Sequence, residues 1–344
     1  MDALVKTQKG KGFLEIKTVP DPVPADHEVL IRVKAAGICG TDLHIQEDRF
    51  HYNPPVILGH EFSGEVLAGG KNVSGYKAGD RVVAEPHRGG CGACRYCLTG
   101  EVEVCRDKRA IGYKIDGCFC SLVTLPATSL HRIPDTVTYE QAALTEPLAV
   151  VVKAVLERTI VEPEDFVVVL GSGPIGILAA AAAKAEGARA VMITGTDGDE
   201  KLRLPAARRM GIDDTVNVQK EDAMARVMAL TGGVGADIVV EASGAAPAIR
   251  QAFDLIKIDG RICGLGLSGR EHVELPWDLA IKKAARLICS FSSNWTSWEL
   301  ALSLLAGGKV NVDPLITACY PLAEWQQAFH RLERLEAIKI LLNP

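Results

Sequence analysis

No uninterrupted apolar run in this 344-residue chain is long enough to propose a membrane span. The most apolar stretch, residues 166–183, is broken by Gly171, Gly173, Pro174 and Gly176. A basic segment followed by an apolar one is also missing at the start, where Met1-Asp2-Ala3-Leu4-Val5-Lys6 reads as a strand. Positive charge is not in excess. Thirty-eight Lys and Arg against 43 Asp and Glu leave a formal charge of −5, which removes the basic stripe that nucleic-acid binding needs. Internal repeats and low-complexity segments are absent too. The ten cysteines are too unevenly spread for a disulfide framework, so metal binding by some of them is the expectation. These absences point to a cytoplasmic protein with no membrane or nucleic-acid partner.

What is present is an ordinary globular composition, 48% hydrophobic and 24% charged, in a chain long for one core. Two domains are expected. Residues 1–148 are strand-rich: short runs such as Val29-Leu30-Ile31-Arg32-Val33 and Ser63-Gly64-Glu65-Val66-Leu67 alternate with Gly, Pro and Asp turns. That texture suggests a small irregular barrel. From residue 149 it changes. Phe166-Val167-Val168-Val169-Leu170 is the unbroken apolar run of a strand buried on both faces, and Gly171-Ser172-Gly173-Pro174-Ile175-Gly176 and an Ala-rich helix follow at once. Glycines between a strand and a helix let backbone N–H groups approach a pyrophosphate, so this is a candidate dinucleotide site. Further strand-like runs at residues 190–194, 237–241 and 261–265 alternate with helical segments, which predicts a doubly wound parallel sheet. The chain returns to the first domain near residue 289, and the expected boundaries are 1–148 with 289–344, and 149–288.

Two clusters carry chemistry. In Gly37-Ile38-Cys39-Gly40-Thr41-Asp42-Leu43-His44 and Gly59-His60-Glu61 a thiol, an imidazole and a carboxylate occur close together. Those side chains bind zinc, and three of them leave a fourth position open for catalysis, so Cys39, His60 and Glu61 form a candidate set. Asp42 is a candidate acceptor for the other nitrogen of His60. Thr41 and His44 offer a hydroxyl and a base near neutral pH, the parts of a proton path. The second cluster is Cys91-Gly92-Ala93-Cys94-Arg95-Tyr96-Cys97 with Cys105, within a lobe at residues 88–106. Four thiols at this spacing wrap a tetrahedral ion and leave no open position, which describes a structural zinc.

Across its whole length the chain resembles the zinc-dependent medium-chain dehydrogenases, in the branch of sorbitol (polyol) and threonine dehydrogenases. The resemblance rests on the Gly-Ile-Cys-Gly-Thr-Asp-Leu-His and Gly-His-Glu segments, the four-cysteine lobe and the strand with its glycine loop. It implies an α/β fold, with a Rossmann domain beside a mainly-β GroES-like catalytic domain, assembled as a homodimer or homotetramer. Residue by residue, Cys39, His60 and Glu61 match the catalytic zinc ligands, and Glu146 of Glu146-Pro147-Leu148 matches a carboxylate that approaches or replaces one. Thr41 and His44 match the proton relay, and Cys91, Cys94, Cys97 and Cys105 the structural zinc. Gly171, Gly173, Pro174, Ile175, Gly176, Gly195, Thr196, Arg203, Leu265, Gly266 and Phe291 are the cofactor-binding positions it implies.

The implied reaction passes hydride between a secondary alcohol of a polyol, sugar alcohol or sugar phosphate and NAD(P). Zinc serves as Lewis acid, Thr41 takes the hydroxyl proton and His44 relays it. An amino-alcohol dehydrogenase of the threonine type is the alternative, although the Gly-Arg-Glu segment of those enzymes is missing. A catalytically silent dinucleotide-binding protein is a third reading, and it predicts degraded zinc ligands, whereas here every such position is filled. Two departures stand out. Gly195 occupies the place of the acidic residue that usually holds the ribose of NAD, with Thr196 and Arg203 nearby. Ser292-Ser293 replaces the Arg-Tyr pair that sorbitol dehydrogenases tend to carry after the position of Phe291. Tyr113, Asp116 and His51 are candidate pocket residues. Cys118, Cys120, Cys263, Cys289 and Cys319 read as buried thiols.

Overall fold

The computed structural model describes residues 1–344, which divide into two compact units. The first comprises residues 1–146, 293–306 and 316–344, and the second residues 147–292 and 307–315.

The first unit is built on two sheets. A three-stranded one holds Leu14–Thr18, Asp2–Lys6 and Val56–Ile57 in that order. The larger runs Ile316–Pro321, Lys339–Asn343, Glu28–Gly37, Glu61–Gly69, Arg81–Ala84, Leu130–Arg132, with Leu122–Pro126 also paired to Glu28–Gly37. Glu28–Gly37 shows why a strand forms here: its buried residues Val29, Ile31 and Val33 alternate with more accessible ones, the period of a half-buried strand. Their side chains join Leu4, Phe62, Phe119 and Phe329 in one apolar core.

The second unit is a six-stranded sheet, all parallel, in the order Asp214–Asn217, Ala190–Gly195, Phe166–Leu170, Ala236–Glu241, Ile256–Gly264, Arg286–Cys289. Numbered along the chain, this is 3-2-1-4-5-6, the doubly wound order. Every residue of Phe166–Leu170 is buried, as its unbroken apolar run predicts. Helices Pro174–Glu186, Arg203–Arg209, Ala223–Leu230 and Ala246–Leu255 make the crossovers. The order of the strands reverses beside Phe166–Leu170, and such a point opens a crevice at the carboxyl ends of the strands.

The segment before the first strand of this sheet is an α-helix over Thr145–Val151 and then a π-helix over Val152–Thr159. One expectation, that the five cysteines outside the metal clusters are all buried, fails. Cys118, Cys120 and Cys263 are buried, but Cys289 and Cys319 are exposed. Both lie on edge strands, where one side of the ladder has no neighbour to cover them. No helix is long and apolar enough to cross a membrane.

Candidate active site and metal centres

The end of strand Glu28–Gly37 is where the site is assembled. Gly37 pairs with Glu61 on one side and with Leu341 on the other. A side chain at residue 37 would begin 2.4 Å from Glu61 Oε2, so glycine leaves that carboxylate its space. Cys39 then caps helix Gly40–Gln46, its N–H donating to Asp42 Oδ2 at 2.9 Å. Thr41 Oγ1 lies 3.7 Å from Cys39 Sγ. His44 follows Thr41 by three residues, on the same side of the helix.

One donor atom each from Cys39, His60 and Glu61 lies within 4.8 Å of the others. Around a tetrahedral zinc such atoms are roughly 3.3–3.8 Å apart, so a small contraction seats the ion. His60 Nδ1 and Asp42 Oδ1 are both buried without a hydrogen-bond partner, 3.9 Å from each other. That is too long for a hydrogen bond, but the carboxylate stands where it would take the Nδ1 proton and leave Nε2 for a metal. Glu146 is buried in the same neighbourhood. Burial pushes its carboxyl up to about 7 against the pull of His60, and the charge of Glu61 adds to the rise. Burial would lower the imidazole of His60, yet Cys39, Asp42 and Glu146 outweigh it and hold the group well above its ordinary value. A thiol and three carboxyls thus converge on one imidazole in a water-poor place, and a divalent cation suits that donor set.

Lys339 is the functional residue that sequence reasoning missed. Its ammonium is buried, donating to Glu61 Oε2 at 2.5 Å and to the carbonyl of Ile38 at 3.0 Å. Burial would lower its pKa, but Glu61 and Cys39 outweigh this and raise it. A signal was available: a lone cation inside Ile338-Lys339-Ile340-Leu341-Leu342, where every neighbour is apolar.

The cysteine lobe gathers as its spacing predicts. Cys91 Sγ is 3.9 Å from Cys97 Sγ, and Cys94 Sγ 3.7 Å from Cys105 Sγ. Backbone N–H groups of Cys94 and Cys97 point at the sulfurs of Cys91 and Cys94, at 3.3 and 3.5 Å. Such donors favour thiolates, the form that binds metal. All four sulfurs lie within 4.8 Å of one another, which fits a closed zinc site.

In the second unit a cavity of about 800 Å³ opens at the strand-order reversal. Gly171, Gly173, Gly195, Thr196 and Arg203 line it; Pro174, Ile175, Gly176, Leu265, Gly266 and Phe291 do not. Pro174, Ile175 and Gly176 instead form the first turn of Pro174–Glu186. Leu265 and Gly266 donate their N–H groups to the carbonyl of Glu241, and the carbonyl of Phe291 accepts from Lys153. Of the pocket candidates, His51 stacks on Phe50 at 4.5 Å, and Tyr113 meets both edge-on at 5.2 and 5.3 Å. Asp116 accepts the N–H of Ile57 at 2.9 Å and so braces a loop.

With this geometry in place, likeness to known proteins decides the family. Residues 25–135 match the alcohol dehydrogenase GroES-like domain, and residues 174–307 match the zinc-binding dehydrogenase domain. The chain is 42% identical to sorbitol dehydrogenase of Halalkalibacterium halodurans, covering 100% of this chain and 99% of that protein. This chain belongs to the zinc-dependent medium-chain dehydrogenases. The dehydrogenase is also 38% identical to D-arabitol-phosphate dehydrogenase of Enterococcus avium, covering 98% of each. Its structure superposes on an alcohol dehydrogenase from Thermus sp. ATN1 with a TM-score of 0.91 at 27% identity, covering 100% of this chain and 99% of the other. It is therefore an oxidoreductase of the zinc- and NAD(P)-dependent kind, with a GroES-like unit and a parallel-sheet unit.

Proposed function

We propose that the dehydrogenase interconverts a secondary alcohol and a ketone on a polyol, sugar alcohol or sugar phosphate, with NAD(P) as hydride partner. The observation that carries this is the convergence of Cys39, His60 and Glu61 beside Thr41. The named activities of the relatives, on sorbitol and on D-arabitol phosphate, support the substrate class. When bound by Cys39, His60 and either Glu61 or Glu146, zinc supplies Lewis acidity to the alcohol oxygen.

The residues do the rest. Thr41 takes the hydroxyl proton of the alcohol and passes it to His44, which is accessible to solvent. Partial desolvation, with the charge of Arg49 nearby, lowers the pKa of His44, so its imidazole is a free base at neutral pH. Asp42 orients His60, and Lys339 anchors Glu61. Tyr113 keeps its proton, because burial and the charge of Glu146 push its phenol up to about 12. It is therefore a hydrogen-bond donor for a hydroxylated substrate. Cys91, Cys94, Cys97 and Cys105 hold the second zinc, and the cavity at Gly171 and Gly173 holds the dinucleotide.

Two broader readings follow. Ten free thiols suit a reducing compartment, the cytoplasm. Exposed Trp277, Ile281 and Leu287, on a helix and an edge strand of the second unit, suit a homo-oligomer. Light scattering on the purified chain tests the latter, and a monomer would rule it out.

The decisive experiment joins metal analysis to a substrate panel of polyols, their phosphates and L-threonine, each with NAD and NADP. Two zinc ions per chain and turnover of a polyol or its phosphate are expected. Turnover of threonine alone would move the assignment to amino alcohols, and zinc only at the cysteine lobe would remove the catalytic reading.

A further inference from the structure

The cavity of the second unit also bears on which dinucleotide it takes. Gly195 ends the second strand of the sheet, where NAD-binding folds place a carboxylate for the ribose hydroxyls. A side chain at this position would begin 2.7 Å from Ser172 Oγ and 3.0 Å from both Asp199 Cβ and Leu204 Cδ2. Any side chain here would crowd these three groups, and glycine leaves the position without a carboxylate.

The acidic groups that follow are spoken for. Asn217 Nδ2 donates to Asp197 at 2.7 Å and to Glu200 at 2.8 Å, and Lys220 pairs with Glu200 at 2.6 Å; neither acid lines the cavity. Asp199 does line it, but its Oδ2 accepts from both the N–H and the hydroxyl of Thr196 at 2.8 Å. Its Oδ1 accepts from Arg203 Nη1 at 3.1 Å. Burial would raise this carboxyl, but the Thr196 and Arg203 donors outweigh it and hold it below its ordinary value. Arg250 and Asp254, also on the wall, contribute one charge of each sign.

Two donors on that wall have no partner. Ser172 Oγ is buried and unbonded, and so is Arg203 Nε. A buried donor without an acceptor costs free energy until a ligand supplies one, and a hydroxyl and a guanidinium on one cavity wall suit an oxyanion.

We propose that Ser172 and Arg203, which line the same cavity as the bare Gly195, receive the 2′-phosphate of NADP(H), so that the dehydrogenase selects NADP(H) over NAD(H). The inference rests on the reading of this cavity as the dinucleotide site. The test is equilibrium binding to the zinc-loaded, full-length protein, followed by nicotinamide fluorescence. NADPH should bind at least about tenfold more tightly than NADH, and 2′,5′-ADP should displace it about tenfold better than 5′-AMP. Ser172→Ala, which removes only a hydroxyl, and Arg203→Leu should each cut the NADPH-to-NADH affinity ratio by about tenfold. Equal binding of the two coenzymes, tighter NADH, or parallel loss of both in the two variants overturns the proposal. If no nucleotide binds at all, the dinucleotide reading itself falls, and the selectivity with it.

Discussion

Thr41 and Lys339 show how differently two residues of one site serve it. Thr41 acts on the reacting proton, so Thr41→Ala should lower kcat by about a hundredfold while leaving the dissociation constant of the dinucleotide unchanged. Stopped-flow binding beside steady-state kinetics separates those quantities. His44 gives the pH dependence its sign. Its folded-state pKa lies below the ordinary 6.5, so it loses its free-base form only in more acid solution. The acid limb of kcat/KM should therefore sit below pH 6.5, and His44→Gln should abolish it. The stability tied to this group has the same sense: complete above pH 6.5, and lost as pH falls through the window beneath it. Lys339 touches no reacting atom. Lys339→Met would leave Glu61 buried without its cation, and breaking such a pair costs about 3–5 kcal/mol, to be read from denaturant midpoints. Lys339→Arg should recover part of that loss.

Whole elements explain why these side chains meet at all. The Gly37 to Glu61 register carries the carboxylate to Cys39, and the strand Lys339–Asn343 slots in beside Gly37, which brings Lys339 to Glu61 across 278 residues of chain. Local pattern made strands legible: Phe166–Leu170, an unbroken apolar run, has the bounds read from its residues alone. The pairing of the last strand with Glu28–Gly37 was not legible, because local period says which face is buried but nothing about the neighbour. The cysteine lobe lies at the opposite extreme. Its knuckles are local, with each backbone N–H aimed at a sulfur three residues back, so spacing alone announced it. Cys97→Ser should lower bound zinc from two ions to one per chain and make the lobe protease-sensitive, with metal analysis and limited proteolysis as readouts.

Over the whole molecule the apolar side chains gather in separate cores, among them one around Phe62 and Phe119 and another around Val168 and Val239. The chain visits each unit more than once, yet the metal donors all belong to the first and the glycine cavity to the second. Leu170→Ala, at the end of the central parallel strand, should cost about 2–5 kcal/mol and weaken nucleotide binding, with both zinc ions retained. Calorimetry and metal analysis together check this.

The sequence by itself determined the chemistry of this protein: which donors are available, their spacing along the chain, the glycine loop between strand and helix, and the periodicity that builds each sheet. Those features are short-range, and short-range order is written in neighbouring residues. Tertiary structure alone decided that a lysine from the final strand neutralises Glu61, that a side chain at Gly195 would crowd Ser172, and that the Ser172 hydroxyl and Arg203 Nε lie on the wall of one cavity without partners. Each depends on contacts between residues far apart in the chain, which only packing brings together.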